Sequence, residues 1–394
     1  MSSKLTSNHT ILACFLGYIV QAIVNNFAPL LFLTFQSDYG VSLEKIALLT
    51  TVNFSVQLIT DAASAKFVDK IGYRAAAVLA HGLAAAGLIL MAVLPDILPP
   101  FAGLLLASAV YAVGGGLLEV IISPIVESCP SQRKEAAMSL LHSFYCWGHL
   151  AVVLLSTLFF ALRGVQNWKV LAVCWAAVPV LNLLFFLRVP MYAPTDAETP
   201  TMRLGELFRL KIFWVLMLLM VCAGASEQAL SQWASAFAES ALHVSKTVGD
   251  LVGPCTFALC MGAARALYAK LSDRLPLTRY MTLCGVLCIA SYLIAATGQP
   301  VLGMIGCGLC GFSVGVLWPG TFSTAAKALS AGGTAMYAML ALAGDVGCSA
   351  GPTFVGTLAG VFDEDLRPAL VCAVIFPLLL IAGLRLYKAA VKEK

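Results

Sequence analysis

Apolar residues fill this chain in long uninterrupted runs, broken by short charged or Pro/Gly-rich stretches. Runs of 18 or more residues fall near 11–35, 43–65, 75–95, 99–125, 136–162 and 167–187. A polar stretch, "RVPMYAPTDAETPTMRLGELFRLK", then intervenes, and six more runs follow near 212–240, 247–269, 279–297, 300–325, 333–360 and 367–388. About 20 apolar residues at 1.5 Å rise cross a hydrocarbon core of about 30 Å, so each run has the length of a transmembrane helix. The pattern predicts an all-α membrane protein with twelve transmembrane helices in two six-helix halves, 1–188 and 211–394, joined by a cytoplasmic linker at 189–210.

Composition agrees with that pattern: 60% of the 394 residues are hydrophobic, 11% are charged, and mean hydropathy is +0.90. A soluble domain carries about a quarter charged residues. The first run is too long for the apolar core of a cleavable leader and reads as the first span. With the N-terminus inside, nineteen of the 24 Lys and Arg residues fall on the cytoplasmic side and five outside. That asymmetry sets orientation with both termini cytoplasmic. The thirteen cysteines lie almost all in apolar runs, where a thiol behaves as a small hydrophobe; Cys307-x-x-Cys310 lacks the context of a redox or metal motif. The chain shows no nucleotide-binding loop and no metal-spaced His/Cys set. The reading is therefore of a protein that is not an enzyme, needs no cofactor or metal, binds no nucleic acid and works as a monomer in the bilayer, with short loops suggesting a bacterial inner membrane.

An internal repeat supports the two halves. "AKFVDKIGYR" at 65–74 returns as "AKLSDRLPLTR" at 269–279, each in the loop after the second span of its half. The first copy resembles the loop signature of the major facilitator superfamily, through Asp69, Lys70, Gly72 and Arg74; Ala65 and Tyr73 depart from it. In the second copy Asp273, Arg274 and Arg279 match, while Pro276 replaces the glycine. The resemblance implies the major facilitator fold, two pseudo-symmetric halves that rock to alternate access to a midplane site, and a gating role for Asp69, Lys70, Arg74, Asp273, Arg274 and Arg279.

Within the superfamily, "GGGLLEVIISPIVESCP", "IVNNFAPLLFLTFQ" and "GASEQALSQWASAFAE" are similar to spans 4, 1 and 7 of the fucose:proton symporter family. Glu119 then matches that family's acid, Asn25 and Asn26 its paired asparagines, and Glu227, Ser231 and Trp233 its span 7. The family's span 1 aspartate aligns with Pro29, which leaves a facilitator or a different coupling ion open.

Glu119 is the one charge in an apolar run from Phe101 to Val126. A charge at that depth is costly and marks a functional position. A carboxyl that is neutral when dry and charged when wet can carry a proton, and Pro124 is expected to open the helix nearby. His142, Tyr145 and His149 stand at i, i+3 and i+7, on one face of span 5; packed, hydrogen-bonded histidines are the competing reading. Glu227, Gln228, Ser231 and Trp233 on span 7, with Trp318 on span 10, complete the candidate substrate set, although Glu227 near a helix end would be merely solvated. Asn53, Gln57 and Asp61 form a polar stripe on span 2, and Asp61 either joins the latch with Lys66 or Arg74 or lines the path. Arg265 and Asp345 are the other deep charges, expected to pair and to stabilise particular transport states. The expectation is a proton-coupled importer of a small hydroxylated solute, such as a monosaccharide. Efflux of an amphipathic compound and a lipid-handling or non-transporting membrane protein are the alternatives.

Overall fold

The computed structural model describes residues 5–130, 134–192, 202, 204–271, 275–329 and 331–392, leaving out the side chains of 65–67, 69, 134–140, 142, 269–271, 333–335 and 392. Among the described residues, twelve helices are long and apolar enough to cross a membrane. They are α1 Ser7–Tyr39, α2 Leu43–Ser64, α3 Lys70–Ile97, α4 Pro100–Ser128, α5 Ser143–Arg163, α6 Val165–Phe186, α7 Lys211–Ser231, α8 Lys246–Tyr268, α9 Leu277–Ala295, α10 Pro300–Ala328, α11 Met336–Val361 and α12 Leu366–Val391. All thirteen cysteines are free thiols.

The chain forms two compact units, Met1–Val41 with Val52–Ala197 and Ser42–Thr51 with Glu198–Lys394. The first turns of α2 thus belong with the second unit. There the Thr51 hydroxyl meets that of Thr353, and Ser349 Oγ donates to Thr51 O at 3.4 Å.

Several spans are interrupted, and the interruptions follow residue chemistry. In α1 the helix stops at Asn26, passes through a 3-10 turn at Ala28–Leu31, and resumes as Phe32–Tyr39. Pro29, which has no N–H and cannot continue the ladder, sits in that turn. In α7 the helix stops at Ser231 and continues beyond the span as Ala234–Leu242. In α10 it stops at Val314 and resumes at Leu317, with Pro319 in the new first turn. Helix α8 begins as an α-helical turn at Lys246–Asp250 and then passes through a π-turn at Leu251–Cys255 that contains Pro254. By contrast α4 stays continuous through Pro124, so the expected opening at that proline does not occur.

The repeat inferred from the loops extends into the backbone. The resumed helix of α1 closes on Gly40 (φ 63°) and the helix that follows α7 on His243 (φ 54°), 203 positions apart, each followed by Val-Ser. The interruptions at Pro29–Leu30 and Gln232–Trp233 keep the same offset. A left-handed cap suits glycine, and a non-glycine residue there is uncommon.

Candidate functional site

In the first unit, close backbone contact sets the geometry. A Cβ on Gly116 of α4 would lie 2.9 Å from both Gln57 O and Asp61 Oδ1 of α2, so only glycine permits this approach. Glu119, three residues further along α4, is thereby carried to the polar face of α2. The Asp61 and Glu119 carboxyl oxygens lie within 4.8 Å of each other. Gln21 Nε2 of α1 donates to Glu119 Oε2 at 2.7 Å, and Glu119 is half-buried.

A second contact ties α1 to α5. A Cβ on Gly148 would meet the Ala22 side chain at 2.8 Å and Ile19 Cα at 3.0 Å. One turn away, Asn26 Nδ2 donates to Ala22 O at 2.9 Å and to the half-buried Tyr145 hydroxyl at 3.4 Å. Asn25 Oδ1 accepts from Asn53 Nδ2 at 3.0 Å and Gln57 Nε2 at 2.8 Å, and Asn25 is buried. Asn25 thereby joins α1 to α2. His149 is buried as well, whereas His142 lies outside the described side chains. Trp147, two residues past Tyr145, is 56% exposed.

In the second unit, Gln228 Nε2 donates to Glu227 Oε1 at 3.1 Å, and Gln232 Nε2 donates to Gln228 Oε1 at 3.0 Å. Glu227 is half-buried, and Ser231 is buried beside this amide chain. Trp233 is fully buried, and its indole N–H goes to Pro352 O at 3.0 Å. Its ring packs where a Cβ on Gly356 would lie 2.6 Å from Cζ2, so the side chain is part of the second unit's core. Trp318 is half-buried, set against Gly344 and edge-on to Phe322 at 6.2 Å between ring centroids. Arg265 Nε donates to Gly315 O at 2.9 Å, and its charge acts on the Glu227 carboxyl. Asp345 is buried on α11.

Of the expected latch, the Asp69 side chain, Asp273 and Arg274 lie outside the described residues, while Lys70 and Arg279 are exposed. Arg74 donates through Nη1 to Phe186 O at 2.8 Å and Leu187 O at 2.7 Å, and through Nη2 to Val189 O at 2.8 Å. Its guanidinium thus caps the carbonyl end of α6 within its own unit.

Two features were missed in the sequence. Gln21 stands four residues before Asn25 on the same helix face, a spacing that would have flagged it. The other is a buried network in which Asn182 Nδ2 donates to Ala13 O at 3.0 Å and meets His81 Nε2 at 2.7 Å, while His81 Nδ1 meets Ala77 O at 2.7 Å. Since a carbonyl only accepts, Nδ1 carries the proton and Nε2 accepts from the amide, which leaves His81 neutral and fully used in joining α1, α3 and α6.

The fold has known counterparts. A family model for the Major Facilitator Superfamily matches residues 11–352. The chain is similar to a bacterial homolog of the human lysosomal transporter Spinster, in its inward-facing and unoccupied conformation, at 16% identity and a TM-score of 0.78, over 98% of this chain and 97% of that one. It is also similar to the E. coli fucose:proton symporter FucP, of which one structure is in the outward conformation, at 17% identity and a TM-score of 0.65, over 96% of this chain and 98% of that one. No curated protein matches the sequence. At such identities the solved structures speak for the fold alone. With twelve apolar spans and a family model covering most of its length, the chain is a multi-pass membrane protein and belongs to the major facilitator superfamily of transporters.

Proposed function

We propose that this protein imports a small hydroxylated solute, monosaccharide-like, by alternating access, and that protons drive it through Glu119 and Asp61. The observation that carries the reading is the placement of these two carboxyls within 4.8 Å on facing helices of the first unit, with a neutral amide, Gln21, bonded to one of them. Two carboxylates this close repel if both are charged, so one proton shared between them is the economical state. Asp61 supplies the second acid that Pro29 removes from α1. Tyr145, Glu227, Gln228 and Ser231 provide hydroxyl, carboxyl and amide groups of the kind that hold a polyol. The family resemblance to a fucose:proton symporter supports the same substrate class. We place the protein in a bacterial inner membrane on its short loops, with both termini cytoplasmic on the distribution of Lys and Arg, and acting as a monomer.

A second reading, efflux of an amphipathic compound, is favoured by the aromatic run Trp318, Phe322 and Tyr337 in the second unit, with ring centroids 6.2 and 5.6 Å apart. Thermal unfolding of purified protein against sugars, polyols and amphipathic cations separates the two. A ligand at about a hundred times its dissociation constant adds roughly 2.7 kcal/mol. Stabilisation by one sugar class, with proton uptake into proteoliposomes that Glu119→Gln and Asp61→Asn each abolish, supports symport. Stabilisation by amphipathic cations alone overturns it.

A further inference from the structure

On α10, Gly311 and Gly315 stand four residues apart and both face the backbone of α8. A Cβ on Gly311 would lie 2.7 Å from Phe257 Cα, and one on Gly315 would lie 2.7 Å from Met261 O. This small-xxx-small pairing lets the two helices touch. Arg265, one turn beyond Met261 on α8, therefore reaches the carbonyl of Gly315, to which its Nε donates at 2.9 Å.

That carbonyl has a particular need. In an unbroken helix it would accept from the N–H four residues on, but that residue is Pro319, which has none. The fault is local, since Val316 O receives its ordinary bond from Gly320 N at 2.8 Å. The helix stops at Val314 and restarts at Leu317, with Gly315 and Val316 in the gap.

The repeat supplies an internal control. In the first unit Gly116 makes the equivalent contact, with Gln57 O at 2.9 Å, and the residue four on is Val120, which keeps its N–H. The position equivalent to Arg265, 204 residues earlier, is Asp61, which when ionised can only accept. The donor appears where the proline removes one, and is absent where it does not.

We propose that Arg265 is the positioning residue of a hinge in α10: its guanidinium supplies the hydrogen bond that Pro319 withholds from Gly315, and drawing it onto Glu227 frees the hinge to bend. Glu227, on α7, already lies within electrostatic range of Arg265. Trp318 is two residues past the gap, so bending there would swing its ring against Gly344 and Phe322. The inference holds whichever solute is carried.

Hydrogen exchange of the full chain in detergent, followed on peptides covering residues 316–324, tests it. R265Q is expected to speed exchange there by about tenfold or more, the scale of losing a charged hydrogen bond. R265Q/P319A is expected to return it to within about twofold of the wild-type rate, because the alanine N–H fills the carbonyl and makes the arginine redundant. If the double variant exchanges as fast as R265Q, or if E227Q restores R265Q where P319A does not, Arg265 acts through charge and the proposal is overturned. Should R265Q not yield folded protein, recovery of folded protein on adding P319A supports the hinge, and continued failure overturns it.

Discussion

Gln21 Nε2 donates a 2.7 Å hydrogen bond to Glu119 Oε2, joining an amide of α1 to the half-buried acid of α4. The donor is neutral, so the bond survives whether the partner is a carboxylate or a carbonyl-bearing amide. Glu119→Gln should therefore keep the bond and lose less than about 1 kcal/mol of stability, since both partners remain satisfied. Glu119→Ala should lose about 1–3 kcal/mol, because it strands a donor that is buried at 4% exposure. Unfolding of the two variants in detergent checks this; equal losses would mean that the amide is satisfied elsewhere.

Arg74, to which the loop signature assigns a gating role, donates to three carbonyls at the end of α6. Arg74→Gln is expected to destabilise the protein by about 1.5–3 kcal/mol, the range for hydrogen bonds to a charged group. Arg74→Lys should recover only part of that, since an ammonium lacks the planar fork that reaches several carbonyls at once. A variant that unfolds like wild type but transports abnormally would return Arg74 to the gate.

The spans were legible because bilayer thickness imposes a length that an apolar run either has or lacks. Their interruptions were less so. Pro29 announces the break in α1, but Gln232–Trp233 contains neither proline nor glycine, and only its 203-residue offset from Pro29–Leu30 points to it. The candidate site was legible as a set of polar residues in apolar runs, not as a set of contacts. Nothing local distinguishes Asn25, which is buried and bonded to Asn53 and Gln57, from Glu119, which stays half-buried. That distinction depends on which helices the glycines allow to touch. Gly116 and Gly148 carry that information only once the partner helix is known.

Trp233 separates packing from recognition. As a fully buried side chain donating to Pro352 O, it should cost about 3–5 kcal/mol on replacement by alanine, from the cavity and the lost indole bond. Trp233→Phe should cost less, while still removing the indole donor from the Pro352 carbonyl. A solute-binding tryptophan would give the opposite pattern, with stability near wild type and ligand-induced stabilisation lost.

Asp365, in the turn before α12, gives a pH prediction outside the bilayer. Its carboxylate accepts from Arg367 Nε at 3.0 Å and Nη2 at 2.8 Å, and from the Arg367 backbone N–H at 2.9 Å as an N-cap. The Arg367 hydrogen bonds hold its pKa below the ordinary value of 3.8, outweighing the opposing effect of burial. A carboxyl with a depressed folded pKa stabilises the fold above its unfolded pKa, and that contribution is lost as pH falls through the folded value. With side chains 31% and 45% exposed, solvent screening keeps the effect at or below about 1 kcal/mol. Asp365→Asn isolates it, since asparagine caps a helix about as well as aspartate but carries no charge. The stability gap between wild type and Asp365→Asn should be full at pH 6 and close as pH falls below about 4. Unfolding curves across that range check it; a gap that does not change with pH would assign the contact to capping alone.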